Sequence, residues 1–221
     1  MLLMNFNSKN LINSFNEIGL IKIDKVLNPK KALELKKDLQ KIYFANKRKN
    51  KFDTRAIKQI DINNEAEVVH NLHNKSIKYV KLLSEKKILS IVEKLLQQST
   101  YKKAEDIICQ KNFARNPSFN QKKQALHTDS RFINCTKPLV INSYWLLDDI
   151  TEFNGPLRFV PGSHKYYKFP KNNKVYKNEK IIKGNIGDVI IFDGNVWHGN
   201  SAKIKNYDRW VINFRYTPWF Y

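Results

Sequence analysis

Cysteine is scarce in this sequence, and long apolar runs are missing. The two cysteines, Cys109 and Cys135, lie far apart and lack the paired spacing of a zinc knuckle or a redox CxxC motif. No stretch approaches the roughly 18 apolar residues that a membrane span requires, and the opening MLLMNFNSKN has neither the basic nor the apolar region of a signal peptide. We therefore expect a cytoplasmic protein without a membrane span.

Acidic residues are outnumbered two to one, since 40 Lys and Arg stand against 20 Asp and Glu, for a formal net charge of +20. A field of this sign could attract a polyanion or a small acidic substrate. However, the excess is almost all lysine and accompanies many Asn and Ile, which A/T-rich coding would also produce. The basic residues are scattered, and no RRM, zinc-finger or helix-turn-helix pattern accompanies them. Nucleic acid is therefore a disfavoured partner, although the charge alone does not exclude it.

The patterning of the chain changes near its middle. Helical periodicity predicts helices over residues 28–49, 66–83 and 85–97. Short β-branched and aromatic runs, separated by Gly, Pro and Asn, follow over residues 101–221 and predict antiparallel strands. We expect a single domain over residues 1–221, in which 1–100 give mainly helical support and the rest forms the β core. Residues 166–183 have the least pattern there and are interpreted as a mobile loop or lid.

Two short motifs contain candidate metal ligands. In HTD, His127 and Asp129 are two residues apart, so on a strand their side chains share one face and can reach one ion. An isolated HxD arises often by chance and could simply hydrogen-bond near a turn. His198, in GDVIIFDGNVWHGNS, is expected to arrive from another strand and to complete a set of two His and one carboxylate. Such a set leaves positions of Fe(II) open, whereas a structural zinc site has four protein ligands.

A candidate anion-binding residue lies eleven residues after His198. Arg209 begins the strand-like RWVINFRYT, where a buried guanidinium could hold the distal carboxylate of a dicarboxylate through two parallel hydrogen bonds. A surface salt bridge is the alternative interpretation.

The sequence resembles the phytanoyl-CoA hydroxylase-like dioxygenase family through HTD, NGPLRFVPGSH, GDVIIFDGNVWHGNS and RWVINFRYTPW, over roughly residues 109–220. The resemblance implies a mainly β fold with flanking α-helices. This is the double-stranded β-helix, a cupin-like jelly-roll barrel buttressed by N-terminal helices. It also implies Fe(II) bound by His127, Asp129 and His198, with 2-oxoglutarate and O2 as cosubstrates. Arg209 matches the arginine that binds the C5 carboxylate of 2-oxoglutarate.

The same resemblance implies further site residues. Trp145 matches an aromatic residue near the iron, and Lys111, or Asn112 beside it, is expected to face the cosubstrate. Asn200 stands where a Ser or Thr frequently helps to hold 2-oxoglutarate, so this position departs from the family pattern. In NGPLRFVPGSH the Gly and Pro residues are expected to shape a turn, and His164 to be structural rather than a ligand.

The implied reaction hydroxylates a C–H bond of a small metabolite and releases succinate and CO2. Asp129 favours hydroxylation, because related halogenases replace this carboxylate so that chloride can bind the iron. The lysine excess and Arg131 favour an anionic or carrier-linked substrate. Two alternatives stay open: an AlkB-type nucleic-acid demethylase, which would share the pair Arg209 and Arg215, and a catalytically silent β-helix used for binding. The sequence makes no prediction of oligomeric state.

Overall fold

The chain mixes helices and strands in its first hundred residues and continues mainly as strands and loops. A computed structural model describes residues 8–48, 66–97, 107–119, 121–133, 137–172 and 174–221. The helices are α1 (Ser8–Ile18), α2 (Pro29–Arg48), α3 (Ile77–Leu83) and α4 (Lys86–Gln97). The strands are β1 (Leu20–Ile23), β2 (Ala66–His70), β3 (Ile107–Pro117), β4 (Ile141–Leu146), β5 (Leu157–Phe159), β6 (Lys180–Ile181), β7 (Val189–Asp193), β8 (His198–Asn200) and β9 (Val211–Pro218).

Two antiparallel sheets form the β core. The larger has six strands in the order β1-β7-β4-β9-β3-β2, and the smaller has three in the order β6-β5-β8. Leu146 and Phe192 of the larger sheet share one apolar cluster with Leu157 and Phe159 of the smaller. The two sheets therefore face each other, which is the predicted jelly-roll arrangement.

The helices cover the outer face of the larger sheet. Side chains alternate between the two faces of a strand, so Trp145, Ile212 and Phe214 point away from the smaller sheet and pack with Leu39 of α2 and Leu95 of α4. The helices thus buttress the barrel, as the sequence predicts. Within the described part of the chain, no helix combines the length and the apolar character needed to cross a bilayer.

One of the three predicted helices is wrong in its first part. Residues 66–83 were expected to be helical throughout, but Ala66–His70 form β2, paired antiparallel with β3, and only Ile77–Leu83 are helical. The spacing of apolar residues in this segment is compatible with a helix or a strand. Residues 66–70 form a strand because their backbone groups hydrogen-bond to β3. With β1 at the opposite edge, the first hundred residues supply both edge strands of the larger sheet, in addition to helices.

The other two helices are confirmed, as Pro29–Arg48 and Lys86–Gln97. The predicted β runs are DIICQKNFAR, LVINSYWLL, LRFVPGS, DVIIFDG and RWVINFRYTPW, and they coincide with the strands β3, β4, β5, β7 and β9, although β3 continues two residues beyond its run. Residue 49 of the first predicted helix, residues 101–106 of the predicted β region and Cys135 lie outside the described residues.

The NGPLRFVPGSH segment turns as expected. Gly162 has a φ of 74°, in the left-handed region that favours glycine, and precedes a short 3-10 turn over Ser163–Lys165. The Nε2 atom of His164 lies 3.1 Å from the carbonyl oxygen of Asn16 in α1. This contact joins the turn to a helix, which agrees with a structural role for His164.

The least patterned region, residues 166–183, contains the short strand β6 and is attached to the barrel through Trp197. Tyr166 and Tyr176 pack edge-on against the Trp197 indole, with ring centroids 5.2 and 4.9 Å away. The indole Nε1 donates to the carbonyl oxygen of Lys168 at 3.0 Å. The loop is therefore attached to the residue that precedes His198, and its movement as a lid stays a prediction.

Candidate metal centre

The two histidines of the predicted triad lie directly opposite each other in a short antiparallel contact. The His127 N–H donates to the His198 carbonyl at 2.9 Å, and the His198 N–H donates to the His127 carbonyl at 3.0 Å. Their ring centroids are 4.4 Å apart. Gly199 permits this close pairing, since a Cβ atom there would lie 2.9 Å from the carbonyl oxygen of Ala125. Backbone pairing therefore sets the separation of the two imidazoles.

Asp129 reaches the same point through different contacts. Its N–H donates to the carbonyl oxygen of Gly194 at 2.7 Å, which ties the HTD segment to the turn before β8. Its Oδ2 accepts from Nδ2 of Asn142 at 3.0 Å, and Arg215 forms an ion pair with Oδ1. The ligand atoms of this aspartate and the two histidines all lie within 4.8 Å of one another. The fold thus brings the three predicted residues together in a cluster that could hold a metal ion.

Both imidazole rings are oriented by backbone carbonyls. Nδ1 of His127 lies 3.3 Å from the Ala125 oxygen, and Nδ1 of His198 lies 2.8 Å from the Val196 oxygen. A carbonyl can only accept, so Nδ1 must carry the hydrogen in each contact. In the neutral ring Nε2 then has a lone pair for a metal, the usual arrangement for a histidine ligand. Nε2 of His198 lies 3.5 Å from Oδ2 of Asp129, where a shared cation would offset the repulsion between two electron-rich atoms.

The local charges favour the protonation states that metal binding requires. Burial alone would raise the pKa of Asp129, but His198 in its protonated form, through a hydrogen bond and its charge, the Arg215 guanidinium and protonated His127 all favour the ionised carboxylate and hold that pKa well below its usual range. Loss of hydration, followed by the charge of His198, lowers the pKa of His127 to about 4. At neutral pH the site therefore contains an ionised carboxylate and a neutral His127 ring. Imidazole nitrogens with a carboxylate oxygen form a donor set that suits Fe(II).

A cavity of about 620 Å³ opens at the triad and extends into the barrel. Tyr144 of β4 and Asn213 and Arg215 of β9 line it from the larger sheet, and Leu157 of β5 and Asn200 of β8 line it from the smaller. Its volume is within the range of pockets that bind small molecules. The interior of the barrel can therefore hold a ligand next to the triad.

Arg209 is buried immediately before β9. Trp210 packs in the core beside the helices, whereas Arg209 lies near Arg115 and Tyr144 of the cavity lining without being part of that lining itself. Only 1% of Arg209 is exposed, and Nε, Nη1 and Nη2 have no hydrogen-bond partner among the described residues. Burial and the nearby charge of Arg115 lower the pKa of Arg209 to about 9. A surface salt bridge is thus wrong for Arg209, and a buried guanidinium in this setting requires an anion.

A second cavity, of about 540 Å³, adjoins the first at His127 and Asp129 of the triad. Its own wall includes Arg131, Phe169 and Pro170, the last two from the loop attached to Trp197. It shares Lys111 and Arg215 with the first cavity, together with His127 and Asp129. The candidate metal centre therefore lies where two cavities join.

Of the remaining predicted site residues, two line the first cavity and one does not. Asn200 and Lys111 line the first cavity. Trp145 does not: it is fully buried on the opposite face of β4, where its Nε1 donates to Oγ of Ser143 at 3.1 Å. The cavity-facing position belongs to Tyr144 instead. The prediction for Trp145 is corrected because a shift of one residue along a strand moves a side chain to the other face.

Tyr144 and Asn142 were missed as site residues by the sequence analysis. Both lie on β4, whose sequence INSYWL is otherwise largely apolar and buried. They are two residues apart, so they share the face that is turned to the cavity. Polar side chains at alternate positions of a buried strand were the signal that could have identified them.

Comparisons with known proteins identify the family of this chain. The model of the family described as phytanoyl-CoA dioxygenase (PhyH) matches residues 15–205, which confirms the resemblance and extends it into the helical region. A curated relative, dioxygenase af480 of Aspergillus fumigatus, is 26% identical over 99 residues. That match covers 42% of this chain and 31% of the relative, so the aligned region spans about a third of the relative's length.

Solved structures share the fold across nearly the whole chain. HygX from Streptomyces hygroscopicus, with nickel and 2-oxoglutarate bound, has a TM-score of 0.74 at 16% identity and covers 99% of this chain and 89% of its own. Its complex that also contains hygromycin B has a TM-score of 0.75 at 15% identity, with the same coverage. SnoN, a non-haem 2-oxoglutarate-dependent epimerase from nogalamycin biosynthesis, has a TM-score of 0.68 at 15% identity and covers 96% of this chain and 83% of its own. These likenesses confirm the predicted fold.

Proposed function

Because this chain belongs to the phytanoyl-CoA dioxygenase family, we propose that it is a non-haem Fe(II)- and 2-oxoglutarate-dependent dioxygenase. The observation that carries the proposal is the cluster of His127, Asp129 and His198, with ligand atoms within 4.8 Å of one another. Two imidazoles and one carboxylate bind one face of Fe(II) and leave positions for a bidentate cosubstrate and O2. HygX, which has the same fold, has been crystallised with iron bound.

The proposed anchor for 2-oxoglutarate is Arg209. Its three guanidinium nitrogens have no partner among the described residues, and a carboxylate would satisfy two of them through parallel hydrogen bonds. Tyr144 and Asn200 line the cavity beside the triad, and the Oδ1 atom of Asn200 is buried with no hydrogen-bond partner from the residues that the structure describes. These two residues are proposed to supply further polar contacts to the cosubstrate.

Bound Fe(II), with 2-oxoglutarate and O2, supplies the oxidising power to functionalise a C–H bond, with release of succinate and CO2. The protein's own residues position the components. Asn142 and Arg215 orient the carboxylate of Asp129 through its two oxygens. The carbonyl oxygen of Val196 keeps the hydrogen of His198 on Nδ1, so Nε2 faces the metal position.

We propose hydroxylation of a small molecule as the reaction, since Asp129 keeps a carboxylate ligand on the metal. HygX was crystallised with hygromycin B and SnoN is named an epimerase, so the fold supports small-molecule chemistry with more than one outcome. The family match favours this chemistry over an AlkB-type demethylase. An assembled triad, with a buried arginine that has no hydrogen-bond partner in the described part of the chain, argues against a silent barrel.

The test is succinate release from 2-oxoglutarate by anaerobically purified, Fe(II)-reconstituted protein after O2 is admitted, with a metabolite pool as the source of substrate. The variants His198→Ala and Arg209→Ala are compared with wild type, and Lys94→Ala, which changes an exposed lysine of α4, is the matched control. We expect turnover in wild type and in the control and its loss in the other two variants. Failure of wild type to turn over 2-oxoglutarate, together with no Fe(II)-dependent 2-oxoglutarate binding, would overturn the proposal.

A further inference from the structure

Resting on the proposed function, we infer that the oxidised substrate carries a carboxylate or phosphate group and occupies the second cavity, where Lys111 and Arg131 bind that group. The first cavity is lined by Arg115 and Tyr144, whose charges act on Arg209, which suits the cosubstrate. The second cavity meets the triad from the side of the loop that contains Phe169. A substrate there could reach the metal while 2-oxoglutarate remains in the barrel.

The charges around the second cavity are unbalanced. Its lining contains three cations, Lys111, Arg131 and Arg215, and one acid, Asp129. Arg215 already pairs with Asp129, and the carboxylate is also a proposed metal ligand. The lining therefore has two cationic side chains in excess of its acids.

Lys111 and Arg131 have no acid partner in the described ranges of the chain. The backbone N–H of Arg131 donates to the hydroxyl of Tyr221 at 3.0 Å, and this bond holds the backbone of Arg131 in place. It leaves the guanidinium available to bind an anion. Lys111 lines the same cavity as Arg131 and Arg215. Burial, followed by the charges of Arg215 and Arg131, lowers the pKa of Lys111 against the attraction of Asp129. An anion bound between Lys111 and Arg131 would relieve this repulsion.

The loop that follows Lys168 adds apolar surface to this cavity. Phe169, which is 53% exposed, and Pro170 are on the cavity lining together with Asn172. The loop is attached beside the metal centre, because Nε1 of Trp197 donates to the carbonyl oxygen of Lys168 and Trp197 directly precedes His198. The cavity volume of about 540 Å³ suits a small molecule with an apolar body attached to the anionic group.

Binding of simple probes tests this inference without turnover. Hexanoate, hexyl phosphate and the neutral hexanamide are titrated by calorimetry into the anaerobic Fe(II) protein with 2-oxoglutarate at saturation, so that the barrel site is filled. Lys111→Gln and Arg131→Gln are compared with Lys94→Gln, a control on the exposed side of α4. We expect the anionic probes to bind at least about tenfold more tightly than the amide. In Lys111→Gln and Arg131→Gln this ratio of affinities should fall about tenfold.

The affinities for Fe(II) and 2-oxoglutarate, measured in the same preparations, separate the possible failures. If both bind normally but the amide binds as well as the anions, or neither anion binds at millimolar concentration, the inference is overturned and the proposed function stands. If Lys111→Gln weakens 2-oxoglutarate instead of the probes, Lys111 serves the cosubstrate and the inference is also overturned. If neither Fe(II) nor 2-oxoglutarate binds wild type, the proposed function fails and the inference falls with it.

Discussion

Nδ2 of Asn142 donates to Oδ2 of Asp129 at 3.0 Å, while Arg215 pairs with the other oxygen of the same carboxylate. Nε of Arg215 also lies 3.4 Å from Oδ1 of Asn142, so the three side chains form a closed ring of contacts. Asn142 and Arg215 come from the neighbouring strands β4 and β9, where they are paired in register. The orientation of the proposed iron ligand is therefore built into the larger sheet.

Replacing Asn142 by alanine should weaken Fe(II) binding about tenfold, since residues that hydrogen-bond to metal ligands commonly contribute about 10- to 100-fold to affinity. Anaerobic competition with a chromophoric chelator measures the affinity, and Asn206→Ala, an exposed asparagine before β9, is the control. The folded state is checked by circular dichroism. Unchanged Fe(II) affinity in Asn142→Ala would mean that Arg215 alone orients the carboxylate.

Arg209→Met should separate binding from stability. The buried guanidinium has no hydrogen-bond partner in the described chain, so an apolar side chain of similar length should leave the free energy of unfolding unchanged or raise it by roughly 1 kcal/mol. Binding of 2-oxoglutarate should be lost. Urea unfolding without 2-oxoglutarate and calorimetric titration with it measure the two effects. A loss of several kcal/mol in unfolding free energy would instead indicate that Arg209 has a structural partner.

Tyr144 and Trp145 should respond in opposite ways to substitution by phenylalanine. Tyr144→Phe removes a hydroxyl from the cavity and is expected to weaken 2-oxoglutarate binding about tenfold, with little change in stability. Trp145→Phe removes volume from the core beside the helices and should lower the free energy of unfolding by roughly 1–2 kcal/mol, with 2-oxoglutarate affinity unchanged. Titration and urea unfolding of each variant provide both readouts. The reverse pattern would restore Trp145 as the site residue.

Asp193 should make stability depend on pH. Burial raises the pKa of its carboxyl to about 7, against the hydrogen bond that the Asn195 N–H donates to it. Because the folded state then binds this proton more tightly than the unfolded chain, the contribution is fully present below about pH 4 and is lost as the pH rises through about 7. The free energy of unfolding of wild type relative to Asp193→Asn should fall with increasing pH in this window, by at most about 1.4 kcal/mol per pH unit.

The asparagine side chain in Asp193→Asn keeps an oxygen that can accept the hydrogen bond from the Asn195 N–H, but it cannot ionise. The variant is therefore a matched control for the ionisation of Asp193. Chelator is present throughout, which removes any contribution from metal binding. A constant difference between the two proteins from pH 4 to 8 would show that Asp193 titrates with an ordinary pKa in the folded state.

The sequence by itself determined which residues form the metal cluster. HTD and GDVIIFDGNVWHGNS contain the ligand types at local spacings, and the strand and turn patterns around them are strong enough to fix the order of the β core. Arg209 was found for the same reason, as a cation beginning a strand-like apolar run. Local periodicity also sufficed for α2 and α4, where apolar residues recur on one face.

Tertiary structure decided the features that depend on partners distant in sequence. Residues 66–70 became β2 because β3 offered a hydrogen-bonding edge that no local pattern reveals. Tyr144 rather than Trp145 faces the cavity because sheet pairing sets which face of β4 turns inward. Likewise, only the fold buries the Arg209 guanidinium without a hydrogen-bond partner among the described residues and brings two cavities together at His127 and Asp129. Spacing along the chain specifies local geometry, whereas burial and charge balance arise only when distant segments meet.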